Sequence, residues 1–351
     1  MIFSNFVVME ELKKNKNMKA VWVAFFVIIF VVVVCSNLFD KTKQYKVCSG
    51  VVWTTQYNIT YECEKELDDS IQSIFRAVDG SLSMFNKNSL ISRINNGEKL
   101  RVDTMLSYLY KTSVKVNEET QGAFDPTVSP LMKMWGFVNG NGVLPDNSQV
   151  DSIKAFVGLE KTALEDGYIV KKDSRTSFDF SAIAKGFACD EIGRMLKRNG
   201  VSNYLVEIGG EITVEGKNHS GDKWRIAVDK PIESNDSILH ESVIIVELNK
   251  GGVATSGNYR NYKSLEGRKV VHTMNPLTGY PEQSNLLSVS IIAENCMLAD
   301  AYATACMVLG TEMVKNTFEK SKEIGVLLIY MNENGIMSLW SNERFDSFVK
   351  Q

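Results

Sequence analysis

CMLADAYATACMVLG, residues 296–310, is made almost wholly of small and apolar residues, as a helix buried in a core would be. It carries one carboxylate, Asp300, and a hydroxyl four positions later, Thr304. Residues at i and i+4 share a helix face, so the two groups point the same way. A buried carboxylate without a partner is costly, or it takes up a proton. A cation supplies the partner. A carboxylate and a hydroxyl one turn apart are suitable oxygen ligands for Mg2+, which keeps other positions for water or phosphate.

The composition narrows what such a site can be. The chain has 351 residues, 44% hydrophobic and 23% charged, which is ordinary globular composition with material for a large core. A net charge of -3 excludes a general nucleic-acid binder. There are only three histidines, His219, His240 and His272, so any metal is a hard cation held by oxygen rather than by several imidazoles. The six cysteines form no C-x-x-C pair, which argues against a thiolate zinc site. Cys189, Cys296 and Cys306 sit in apolar helical segments as small core residues. A Cys48–Cys63 disulfide is open to the chain outside the cytoplasm.

The N-terminus stands apart. Residues 1–19 end in a lysine-rich stretch, and Ala20–Phe39 is an uncharged apolar run long enough to span a bilayer. Lysines precede it and Asp40 follows, so the positive-inside rule places the body outside the cytoplasm. The run is expected to be a transmembrane signal anchor in the cytoplasmic (inner) membrane, with the domain facing the periplasm or cell exterior. A lipid-modified Cys35 and a cleaved signal are the competing readings, and Met18 is an alternative start. Residues 40–50 read as a linker and residues 51–351 as one domain.

Within that domain, helical spacing marks KELDDSIQSIFRAVDGSLSMF, a shorter helix in NKNSLISRINNG, TMLSYLYKTSVKVNEETQG and SAIAKGFACDEIGRMLKRNG, the last with Ser181 as N-cap. Strand patterns mark GVVWTTQYNITYE, two short strands in GYIVKKDSRTSFDF, YLVEIGGEITVEG, KWRIAVDKP, SVIIVELNKGGVATSGNYRNY as a strand ending in a glycine-rich turn, RKVVHTMNPLTGYP as a strand and turn, NLLSVSIIAE and a hairpin around NENG. Helices and strands mix without strict βαβ alternation, so the expected fold is α+β, a single mixed α/β domain behind the anchor helix.

Several further stretches carry candidate chemistry. In SFDFSAIAKGF a strand is expected through Asp179, leading into a helix whose N-terminus offers free N–H groups. Lys185 lies in its first turn, where the helix dipole disfavours a cation; such a lysine serves an anion. Paired glycines in IGGEI and GGVATSGNY permit close approach of a ligand or a second backbone. His272, before the turn NPLTG, is the best histidine for phosphate contact or proton transfer. In GAFDPTVSPLMKMWGF, Asp125 and the aromatics are placed to frame a flat ring. No P-loop, G-x-G-x-x-G or G-x-S-x-G motif is present.

Taken in order, LSMFNKNSLISRIN, GAFDPTVSPL…WGF, DFSAIAKGFACD, LVEIGGEI, ATSGNY, HTMNPLTGYP and CMLADAYATACMVLG resemble the FAD:protein FMN transferase, or ApbE-like, family. The resemblance covers nearly the whole domain. It implies an ApbE-type fold and Mg2+-dependent transfer of FMN from FAD to a Thr or Ser hydroxyl, forming a phosphoester and releasing AMP. By resemblance, Asp300, Thr304 and the Ala182 carbonyl hold the metal. Flavin contacts fall on Phe85, Ala123, Phe124, Asp125, Asp179, Lys185 and Met274. His272 lies near the pyrophosphate, and His272 and Asp300 are the expected catalytic residues. Flavoprotein subunits of membrane redox complexes are the implied acceptors. FAD hydrolysis to FMN and AMP, and flavin binding without catalysis, are the alternative functions. Two positions depart from the family pattern: Trp53–Thr55 replaces a Met-Gly-Thr triplet, and Asn275 replaces an aspartate.

Overall fold

The computed structural model describes residues 44–138, 144–229, 242–257, 262–265, 268–282 and 284–350, together with Phe25 and residues 27–29. The expected transmembrane run falls almost entirely outside these described residues. Among the described residues, no helix is long and apolar enough to cross a membrane. The chain divides into two units, Met1–Gln44 and Tyr45–Gln351, and the second carries the fold.

This second unit opens with a hairpin of β1 (Tyr45–Val52) and β2 (Thr55–Glu62), so the expected linker already contributes a strand from Tyr45. Helices α1 (Asp68–Leu82), α2 (Leu90–Asn95), α3 (Thr104–Glu119), α4 (Ser129–Met134) and α5 (Asn147–Lys154) follow. A small hairpin, β3 (Thr162–Glu165) and β4 (Tyr168–Lys171), precedes α6 (Ser181–Arg198). Then come β5 (Tyr204–Ile208), β6 (Glu211–Glu215), β7 (Trp224–Asp229), β8 (Ser242–Leu248), β9 (Lys250–Gly257), β10 (Tyr262–Leu265), β11 (Arg268–Val271) and β12 (Leu286–Ala293). Helix α7 (Cys296–Phe318), β13 (Gly325–Met331), β14 (Met337–Ser341) and α8 (Glu343–Asp346) complete the unit.

The frame is an eight-stranded sheet in the order β1-β2-β5-β6-β9-β12-β13-β14, with antiparallel neighbours throughout. Both faces of its centre are buried, and the period of two is visible in β12 and β13. Val289, Ile291, Val326 and Leu328 join the large core beneath the helices. Ile292 and Leu327 turn the other way and pack with Trp224, Val246 and Phe345 around the β7–β8 hairpin. A third cluster sets Leu131, Trp135, Val150 and Met274 together beside α4 and α5.

Local chemistry explains the element ends. Asp103 caps α3 by accepting from the Leu106 N–H at 2.8 Å, and Asp146 and Gln149 form a reciprocal capping box on α5. The β5–β6 turn uses Gly209 and Gly210 at φ 66° and 103°, the left-handed pair that a tight hairpin demands. The β1–β2 turn asks the same of Trp53 and Thr54, at φ 47° and 64°. A β-branched residue there is strained. Trp53 is held by edge-on packing against Phe75 at 5.6 Å between ring centroids. Within α7, Gly310 leaves the helical region at φ 73°, ψ 171°, breaking the helix into two pieces.

Several expectations need correction. SVIIVELNKGGVATSG is not one strand: β8 pairs with β7 in a separate sheet, and β9 lies in the large one. Residues 177–180 form no strand, because their main chain pairs with no other strand: the Asp179 N–H donates to the Pro126 carbonyl at 2.7 Å and the Phe178 N–H to Asn95 Oδ1 at 2.8 Å. Helix α6 starts at Ser181 rather than after it, and Ser181 is not its cap; the Asp179 carboxylate accepts the Ser181 N–H at 2.8 Å. Cys48 and Cys63 are both free thiols. Cys48 is paired in register with Ile59, whereas Cys63 lies beyond the end of β2.

Helix α7 lies close against both α6 and β9. A Cβ on Gly252 would come within 2.2 Å of the Cys296 backbone nitrogen. Gly80, exposed on α1, has nothing within 4 Å of the same position. Gly252→Ala is therefore expected to destabilise the domain by about 1–3 kcal/mol, and Gly80→Ala to stabilise it by roughly 0.5–1 kcal/mol. Urea unfolding of both variants checks the contrast.

Candidate functional site

A cavity of about 880 Å³ opens where the β1–β2 turn, the β5–β6 turn, α6, α7 and the loops after α3 and β11 converge. That volume suits a sizeable organic ligand. All of the expected site residues except Phe85 line it.

Helix α7 delivers Asp300 and Thr304 from one face. Asp300 is 3% exposed, and its Oδ2 accepts the Gly186 N–H from α6 at 3.0 Å. In a regular helix that N–H points at the Ala182 carbonyl. Ala182, one turn before Gly186, lines the same cavity as Asp300 and Thr304. The approach depends on glycine: a Cβ on Gly186 would meet Cys296 O at 2.4 Å and Asp300 Cβ at 2.9 Å. Burial pushes the Asp300 carboxyl above its ordinary pKa, while Lys185 and the Gly186 N–H pull against it. Among the described residues no group of three or more His, Cys, Asp or Glu side chains forms a metal site.

Lys185 finds its anion within the chain. Its Nζ lies 2.5 Å from Glu211 Oε1. Burial opposes the ammonium charge, but Glu211 and then Asp300 outweigh burial and raise its pKa. Glu211, at the start of β6, is 4% exposed. Its carboxyl is raised to about 7 by burial, against the pull of Lys185 and with the push of Asp300.

The opposite lining comes from loops. Gly122, at φ 87°, ends the turn after α3 and sets Ala123 and Phe124 into the wall. The Asp125 carboxylate is occupied internally. Its Oδ1 accepts from the Thr127 N–H and hydroxyl, each at 2.7 Å, and its Oδ2 accepts from the Leu159 N–H at 3.0 Å. Asp125 therefore shapes the loop, and its side chain is spent on the fold. Asp179 is half-buried at the N-terminus of α6, where burial raises its pKa and the Ser181 bonds oppose the rise. His272, half-buried, follows β11 directly and lines the cavity with Thr273 and Met274.

The turn behind His272 is strapped down. The Trp135 indole N–H donates to Gly279 O at 3.0 Å, and its ring meets Tyr280 edge-on at 5.8 Å. Asn275 Oδ1 accepts from the Leu277 and Thr278 N–H groups at 2.9 and 3.2 Å. Its Nδ2 donates to Glu282 at 2.8 Å. An aspartate at 275 has no such donor, so the asparagine suits the neighbouring glutamate.

Phe85 is not part of this site. It is 68% exposed on the loop between α1 and α2 and does not line the cavity. That loop is tied back on itself: Ser89 Oγ donates to Ser83 O at 2.6 Å, and Asn86 Nδ2 donates to Asp79 at 2.7 Å.

Two carboxylates were not singled out by sequence. Glu211 sits in IGGEI, where the glycines drew the attention; its position on the inward face of β6, in step with buried Thr213, was the available signal. Asp190 lies on the same face of α6 as Ile183, Gly186 and Phe187. Its Oδ1 accepts the Cys296 N–H at 3.0 Å and its Oδ2 accepts the Met297 N–H at 2.9 Å. With Asn295 taking the Leu298 N–H at 2.9 Å, side chains satisfy three of the free donors of α7. Asp190 thus fixes the start of the helix that presents Asp300.

Residues 53–328 match the sequence profile of the ApbE family. A curated relative from Escherichia coli K12 named FAD:protein FMN transferase is 33% identical over 312 residues, covering 86% of this chain and 87% of that protein. A Vibrio cholerae protein of the same name is 32% identical over 323 residues, covering 89% and 95%. Among solved structures, flavin transferase ApbE from Vibrio cholerae superposes with a TM-score of 0.76 at 32% identity, covering 87% of this chain and 99% of that one. The apo form of Pseudomonas stutzeri flavinyl transferase ApbE gives 0.78 at 30% identity, covering 87% and 97%.

Burial pushes the Asp190 carboxyl up to about 6 from an ordinary 3.8. The folded protein therefore holds a proton that the unfolded chain releases. This stabilising contribution is complete below about pH 4 and is lost as pH rises through about 6. Asp190→Asn does not titrate. Its melting temperature is expected to vary less than the wild type's between pH 4 and 7, as a thermal-melting series would measure.

Proposed function

The chain belongs to the ApbE family, and from that premise we propose that it transfers FMN from FAD to a threonine or serine hydroxyl of an acceptor protein. The observation that carries the reading is one cavity lined by Asp300, Thr304 and Ala182 together with Lys185, His272 and the Ala123–Asp125 wall. A carboxylate, a hydroxyl and a main-chain carbonyl suited to a hard cation, with an ammonium and a histidine, beside a recess large enough for a dinucleotide, support this reading.

The donor set fits Mg2+. Asp300 offers a buried carboxylate, Thr304 a hydroxyl and Ala182 a main-chain carbonyl, all oxygen and all on the cavity wall. Burial raises the Asp300 pKa against the pull of Lys185, and a bound cation would favour its ionised form. When bound, Mg2+ would offset negative charge on the pyrophosphate oxygens. Lys185 adds a positive charge to the same space. His272 accepts the proton of the incoming hydroxyl. The hydroxyl oxygen forms a new bond to the phosphorus of the FMN half as the bond to the bridging oxygen breaks, and AMP leaves with that oxygen. The walls formed by Ala123, Phe124 and Met274 hold the flavin half and limit access of water. The acceptors fitting this reading are flavoprotein subunits of membrane redox complexes. The uncharged run Ala20–Phe39 supports attachment to the cytoplasmic membrane with the domain outside the cytoplasm.

Incubation with FAD, Mg2+ and an acceptor carrying a reactive threonine is expected to give in-gel flavin fluorescence, a mass gain equal to FMN, and AMP. AMP release that is equally fast without acceptor would instead identify a hydrolase. FAD binding without AMP under any metal condition would identify a binder. Asp300→Ala is expected to lower the transfer rate by roughly 100-fold or more, measured by AMP release at saturating FAD.

A further inference from the structure

The two oxygens of Glu211 have different surroundings. Oε1 is 2.5 Å from Lys185 Nζ. Oε2 is buried, has no hydrogen-bond partner among the described residues, and belongs to a residue that lines the cavity. An unpaired buried acceptor is costly and calls for a partner. Besides Lys185, the donor acting on this carboxylate is the residue's own main-chain N–H, and Oε2 keeps no hydrogen bond within the described residues. Lys185 is engaged at Oε1, Asp300 is itself a carboxylate, and the Cys189 thiol donates to the Glu211 main-chain oxygen at 3.2 Å. The missing donor must therefore come from whatever occupies the cavity.

The local charge suggests which donor. Two acidic groups, Glu211 and Asp300, surround one ammonium, Lys185, so with both ionised the cluster carries an excess negative charge. A dication at Asp300 reverses that sign. Mg2+ retains several of its waters when protein ligands are few, and coordinated waters are strong donors toward nearby carboxylates. Resting on the metal site of the proposed function, we propose that Glu211 is an outer-shell residue of that site: its Oε2 accepts a hydrogen bond from a water on the ion held by Asp300, Thr304 and Ala182. Glu211 does not touch the ion. It fixes the water and, through Oε1, the position of Lys185.

Calorimetric titration of the FAD-free protein with MgCl2 tests this without recourse to activity. Glu211→Gln keeps the shape and removes the charged acceptor; its Mg2+ affinity is expected to fall about 10–100-fold. Asp300→Ala is expected to abolish binding. The loss caused by Glu211→Gln should persist in a Lys185→Met background. Wild-type affinity in Glu211→Gln overturns the proposal, as does a loss that vanishes once Lys185 is gone, which would make Glu211 only an anchor for the lysine. If Glu211→Gln does not fold, Glu211→Asp, which keeps the charge and withdraws it by one methylene, is read the same way. A wild-type protein that folds but binds no Mg2+ overturns the metal reading and this proposal together. Mg2+ binding lost in Asp300→Ala and unchanged in Glu211→Gln overturns this proposal alone.

Discussion

The site depends on how closely two helices approach at Gly186. A side chain there would collide with the Cys296 carbonyl and the Asp300 Cβ, so the absence of one sets the distance between α6 and α7. The same residue's N–H then bonds Asp300 at 3.0 Å. One glycine therefore brings the helices together and orients the carboxylate. Asp190 repeats the arrangement one turn further along α6, where it receives the first N–H groups of α7. Helix α7 is thus fixed in height and rotation by polar contacts from its neighbour, while its apolar residues supply the burial.

Burial is what gives those contacts their strength. The central strands are covered on both faces, with Ala254, Val289 and Leu328 toward the helices and Val253, Ile292 and Leu327 toward the β7–β8 hairpin. Asp300, Glu211 and Asp190 therefore lie in a region where desolvation raises every carboxyl pKa. A protein of this size bears that cost only where it serves a purpose. Here Glu211 and Asp300 line the cavity, and Asp190 holds the start of the helix that carries Asp300.

Much of this was legible from residue patterns. The helix 296–310 with Asp300 and Thr304 on one face followed from spacing alone, and Lys185, read as serving an anion, lies beside a carboxylate of the chain itself. The identity of that anion was not readable, because Glu211 reaches Lys185 only when β6 folds against α6. Asp190 was hidden for a similar reason: its partners are backbone groups more than a hundred residues away. Phe85, placed at the flavin by resemblance, is exposed on the loop between α1 and α2 and does not line the cavity. The strand expected through Asp179 failed because alternation in SFDF reflects burial of Phe178 and Phe180, which stack on each other at 5.7 Å, rather than sheet pairing.

Gly310 gives α7 a property that an unbroken helix would lack. With the backbone at φ 73°, ψ 171°, the hydrogen-bond ladder stops between the portion bearing Asp300 and Thr304 and the portion that runs on to Phe318. Helical phase is not transmitted across such a break. An inserted or deleted residue after Gly310 would turn the distal segment by about 100° per residue and leave the face bearing Asp300 and Thr304 where it is. The joint therefore insulates the register of the site from sequence change in the far half of its own helix.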